Sequence, residues 1–73
     1  MAREKPEWRK RLDQCDEIMD LLDELPERAE DFAAGAGETV HDIAEWIQEH
    51  QEVTPKQAAA LDNIQAGAER WIN

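Results

Sequence analysis

Between Pro26 and Gln51 the apolar residues Ala29, Ala33, Ala36, Val40, Ile43 and Ile47 follow one another at intervals of four, three, four, three and four. That alternation gathers all six onto one narrow stripe of an α-helix, whereas the period of two in a strand would divide them between opposite faces. Phe32, Ala44 and Trp46 widen the stripe. At 1.5 Å per residue the segment is about 39 Å long, the width of a small domain. The flanking segments are expected to lie along it as partners, with this middle stretch as the axis of the fold.

Ahead of it, Trp8, Leu12, Cys15, Ile18 or Met19, Leu22 and Leu25 also recur at three and four. A first helix is predicted from Pro6, which suits a first turn where an N–H is not needed, to Glu24. It must stop before Pro26, because a residue preceding proline avoids helical geometry. Pro26, Glu27 and Glu30 then open a second helix, with the acids near the positive end of its dipole. Gly35 and Gly37 fall inside this helix, each unfavourable by about 1 kcal/mol relative to alanine. The stripe keeps its phase across them, so one continuous helix is favoured over a break. Val53-Thr54-Pro55-Lys56-Gln57 is the clearest boundary in the chain. Thr54 and Gln57 have the spacing of a capping box, with Pro55 at the first helical position. The third helix turns Ala58, Leu61, Ile64, Ala68 and Trp71 inward, beside Ala60, Gly67 and Ile72. Its small residues match those of helix two and predict a close approach between the two. With short turns and no strand pattern, the expected fold is all-α: an antiparallel three-helix bundle with helices at about 6–24, 27–50 and 55–71. Residues 1–73 form a single helical domain in this reading, with a frayed basic end at residues 1–5.

A chain of 73 residues with five Leu, five Ile, two Val, one Phe and three Trp has little material for a core. Domains of this size rarely gain more than about 3–5 kcal/mol from one core, which makes a homodimer the natural alternative to a monomer. Cys15 is the only cysteine, so no disulfide forms within the chain. There is no hydrophobic signal region and no apolar run of the ~20 residues that a membrane span needs. A cytoplasmic location without membrane contact is expected.

The net charge of −10 is unevenly distributed. Arg3, Lys5, Arg9, Lys10 and Arg11 are five of the eight basic residues, while from Leu12 to Glu52 fourteen Asp and Glu face only Arg28. Such a body repels nucleic acid and anionic membranes. Asp13, Asp16, Glu17, Asp20, Asp23, Glu24 and Glu27 form a row along helix one, neighbours lying roughly 5–6 Å apart. Glu30, Asp31, Glu38, Asp42, Glu45, Glu49 and Glu52 continue the acidity into helix two. Like charges at this spacing oppose helix formation by a few tenths of a kcal/mol each, and a surface selected for stability alone would alternate its signs. The row is either a solubilising coat or a surface built to meet a basic partner. Trp46, at the edge of the helix-two stripe, either closes the core or anchors a partner or second subunit.

Other chemistry is poorly supported. His41 and Glu45 stand at i, i+4, but no third ligand has diagnostic spacing, and no metal or other cofactor is expected. Carboxylates beside Cys15 disfavour a thiolate, so it reads as a small core residue. A slim bundle has no pocket to desolvate an acid–base pair, and Gly35 and Gly37 lack the pattern of a phosphate loop. No enzymatic activity is expected.

Ala44-Glu45-Trp46-Ile47, Val53-Thr54-Pro55-Lys56-Gln57, Ala60-Leu61-Asp62-Asn63-Ile64 and Gly67 to Trp71 resemble short acidic helical proteins of bacteriophage and mobile-element genomes. Some of these act as decoys of nucleic acid toward host enzymes. The resemblance implies a small regulatory protein and assigns no residue; the basic N-terminal stretch departs from a purely anionic decoy. The expected function is therefore docking of the acidic row on a basic protein, either a nucleic-acid-binding one or another cationic protein. The alternative is a module that self-associates through Trp46 and the small-residue faces.

Overall fold

The computed structural model describes residues 4–72, which contain α1 (Glu7–Asp23), a 3-10 turn (Glu27–Ala29), α2 (Glu30–His50) and α3 (Pro55–Ile72), with no strand among them. Of the N-terminal end expected to fray, residues 1–3 lie outside the described residues; Lys5 reaches forward to Asp13 at 2.6 Å.

Of the three prolines expected as first helical residues, Pro55 opens α3, while Pro6 and Pro26 stand one step outside their helices. Pro6 is extended (ψ 157°), and its carbonyl accepts the N–H groups of Arg9 and Lys10 at 3.0 and 3.2 Å. Pro26 is likewise extended (ψ 159°) and accepts the N–H of Ala29 at 2.9 Å. The second helix therefore begins with one tight 3-10 turn and becomes α-helical only at Glu30. Proline fixes φ and leaves ψ free, so it serves equally well as an entry residue. At the end of α1 the N–H groups of Glu24 and Leu25 bond to the carbonyls of Leu21 and Leu22, a tightening that closes the helix without glycine.

Helix α2 is continuous through Gly35 and Gly37. It ends at Gln51, whose backbone is left-handed (φ 53°) and whose N–H bonds to the Ile47 carbonyl at 2.7 Å. The capping box is formed as the spacing predicts: Gln57 N–H donates to Thr54 Oγ1 at 3.1 Å, and Thr54 N–H donates to Gln57 Oε1 at 3.0 Å.

The buried core comprises Cys15, Ile18 and Leu22 of α1, Ala29 of the turn, Ala36, Val40 and Ile47 of α2, and Leu61 and Ala68 of α3. Ala33 and Ile43 are half-buried, so every residue of the four-three stripe lies in or beside the core. Ile18 and Met19 both fit the period of α1; Ile18 is fully buried while Met19 is 40 % exposed. Ile72, expected beside the inward face of α3, is 46 % exposed.

The axis of the fold is α1 and not α2. Helix α1 packs extensively against both other helices, whereas α2 and α3 meet over a short stretch. The first half of α2, from Ala33 to Gly37, is made of alanine and glycine and offers little side-chain volume, while α1 supplies the larger Ile18 and Leu22. The small residues of α2 and α3 serve different neighbours. A Cβ on Gly37 would meet Leu22 and Met19 of α1 at 3.8 and 3.9 Å, while Gly67 of α3 lies under the Phe32 ring of α2.

Polar side chains add a seam between α1 and α3. One guanidinium nitrogen of Arg11 donates to Gln14 Oε1 at 2.6 Å and to Asp62 Oδ1 at 2.8 Å. The Gln14 amide donates to Asp62 at 2.9 Å and to Gln65 at 2.8 Å. At one end of the molecule Arg28, just before α2, lies over the ring of Trp71 at 5.6 Å. At the other, Trp8 shares a groove with Val53, Thr54 and Pro55. No helix among the described residues is long and apolar enough to cross a membrane.

Candidate functional site: the acidic face of α1

The same period that turns Cys15, Ile18 and Leu22 inward turns Asp13, Asp16, Glu17, Asp20 and Asp23 outward. All five are exposed, as are Glu24 and Glu27. Asp13 through Asp23 lie on one unbroken helix, Glu24 is its cap, and Glu27 stands past Pro26, outside that helix. Pro26 ends the helical path, and Glu27 shares a groove with Asp23, Leu25, Glu30 and Ala33 where α1 hands over to α2.

Only one carboxylate of the row meets a cation among the described residues, Asp13 with Lys5. Arg11 would be the nearest large cation, yet its side chain is drawn into the seam with Asp62 and Glu7. Hydrogen bonds from Gln14 and then Arg11 hold the Asp62 carboxyl below the ordinary carboxylate range, and the bond to Asp62 raises the Arg11 pKa in turn. Arg9 lies over its neighbour Trp8, 5.4 Å from the ring centroid. From Asp16 to Glu24 the face is left with five carboxylates and no ion pair among the described residues.

Trp46 is not part of this face. It stands on α2, half-buried against the core. His50 covers one side of its indole, with ring centroids 4.1 Å apart and planes 15° apart. The ring nitrogen Nδ1 of His50 lies 2.9 Å from the Trp46 carbonyl, which fixes the stack. His41 and Glu45 approach only to 3.8 Å, both largely exposed, and no three His, Cys, Asp or Glu side chains converge as a metal-binding group among the described residues. Cys15 is buried, and desolvation, followed by the charge of Asp16, pushes its thiol up to about 11. The sulfur is therefore held as a neutral packing group.

The seam through Arg11, Gln14, Asp62 and Gln65 was not apparent from sequence pattern. The bonds that join its two helices span 48 to 51 residues, and as single polar residues on helix flanks its members carry no periodic signal. No protein-family model, curated protein or solved structure matches the chain. Geometry and charge alone carry the functional reading.

Proposed function

We propose that the chain is an antiparallel three-helix bundle that acts without catalysis, docking the acidic face of α1 on a basic protein. Three contacts support the up-down-up course: Arg28 against Trp71 at one end, Trp8 beside Val53–Pro55 at the other, and Arg11 bonded to Asp62 midway. The observation that carries the docking reading is the stretch from Asp16 to Glu24, five carboxylates with no cation paired to them among the described residues while Arg11 is committed elsewhere. Repulsion along such a helix opposes folding, and a cationic partner removes it. A nucleic-acid-binding protein fits best, because its groove is built to receive a regular row of negative charge. In this reading the protein is a cytoplasmic regulator and decoy of nucleic acid, akin to small phage proteins, and its own body binds neither nucleic acid nor membrane.

The test is capture of partners from a lysate by the immobilised protein at low and high salt, with two variants. Replacing Asp16, Asp20 and Asp23 by Asn removes three charges and leaves Cys15, Ile18 and Leu22 in place. It should fold at least as well and lose the salt-sensitive partner. Trp46→Ala should keep it. If Trp46→Ala remains folded and loses the partner while the triple variant retains it, the interface is apolar and the alternative of self-association through Trp46 takes over.

A further inference from the structure

We propose that the basic partner is gripped in the groove between α1 and α3, and that it offers there an amphipathic basic helix with an apolar residue seated on Leu21. This rests on the docking reading above and narrows it to one place. The groove is lined by Glu17, Asp20, Leu21 and Glu24 of α1 and by Gln65 and Glu69 of α3. Leu21 is half-buried, with one part of its side chain against the core and the rest open to the groove. Glu17 and Glu24, four residues before and three after it, fall on the same flank of α1 and bracket it along the helix. Glu69 follows Gln65 by one turn on α3 and closes the rim from the other side.

The polar seam explains why the groove opens here. Toward the N-terminus of α1, Arg11 and Gln14 bridge to Asp62 and Gln65 and fill the space between the helices. Beyond Gln65 that bonding ends, and of the six residues around the groove four are acids and one, Leu21, is apolar. None of these four acids is in an ion pair among the described residues. A half-buried leucine rimmed by carboxylates that are unpaired among the described residues complements a helix that carries a leucine-like residue with Lys or Arg at three and four positions to either side. The groove over Lys5, Trp8, Arg9, Asp13 and Asp16 has charges of both signs and lacks this complementarity.

The test uses two synthetic probes of equal positive charge, an amphipathic Leu/Lys helical peptide and oligolysine, with affinities measured by fluorescence anisotropy. The protein should bind the Leu/Lys peptide about tenfold more tightly, the scale of one well-seated apolar anchor. Leu21→Gln should abolish that preference. A Glu17→Gln, Glu24→Gln variant should weaken peptide binding several-fold more than an Asp16→Asn, Asp23→Asn variant, which removes the same number of charges outside the groove. Because Leu21 also packs on the core, amide shifts of the unmutated protein during titration give an independent readout and should centre on Leu21 and Gln65. Equal affinity for both probes, or shifts centred elsewhere, overturns the groove and leaves docking by charge standing. Binding of neither probe at low salt removes both readings.

Discussion

The three glycines of this protein lie inside helices, and the surroundings of each predict a different response to alanine. A Cβ at Gly35 would meet nothing within 4 Å, and at Gly37 it would make ordinary contact with Leu22 and Met19. At Gly67 it would sit 3.1 Å from Phe32 Cζ and 3.3 Å from Cε1. Alanine in place of a helix-interior glycine is worth about 1 kcal/mol. Gly35→Ala and Gly37→Ala should each gain that amount in full. At Gly67 the ring must withdraw by a few tenths of an ångström, and overpacking of this kind costs about 1–3 kcal/mol. The gain is then cancelled or reversed, leaving Gly67→Ala at least about 1 kcal/mol less stable than Gly35→Ala. In a chain of this size that difference is a gap of about 4–8 °C in Tm, readily measured by circular dichroism and checked by urea denaturation. A Phe32→Leu background should restore the gain at Gly67 and shows whether the two sites are coupled. If Gly67→Ala stabilises as much as Gly35→Ala with Phe32 intact, the ring is not seated on Gly67 and the short contact between α2 and α3 is wrongly placed.

At Gln51 the left-handed backbone favours glycine, so Gln51→Gly should raise the urea midpoint, by about 0.5–1 kcal/mol in stability. Thr54→Ala removes the acceptor for Gln57 N–H and should cost about 1 kcal/mol, seen as a lower Tm with α3 still helical. Stability should also fall as pH rises from about 9 to about 11: the folded state keeps the Cys15 thiol protonated where the unfolded chain ionises it, and Cys15→Ala should remove that slope. At the acid end the depressed Asp62 carboxyl contributes stability above its ordinary value near 3.8 and loses it as pH falls through the lower folded value. The acid limb of an Asp62→Asn melting profile should therefore be flatter.

What the sequence determines by itself is what adjacent turns of one helix decide. The four-three stripe of α2, the stop before Pro26 and the reciprocal cap of Thr54 and Gln57 depend on residues no more than a few positions apart, and each is found where the spacing predicts it. The acidic face was legible for the same reason, since a helix that turns Cys15, Ile18 and Leu22 inward must turn the carboxylates between them outward. Tertiary packing decided the rest. Ile18 and Met19 satisfy the period equally, and only the rotation of α1 against its neighbours buries one and exposes the other. Arg11 directly precedes the acidic row in the chain; Asp62, brought beside it from 51 residues away, takes it into the seam. The left-handed Gln51, the Phe32 ring over Gly67 and the role of α1 as the axis arise likewise from contacts between helices. Period and capping are properties of one helix, while rotation, partner choice and groove shape exist only once three helices share a core.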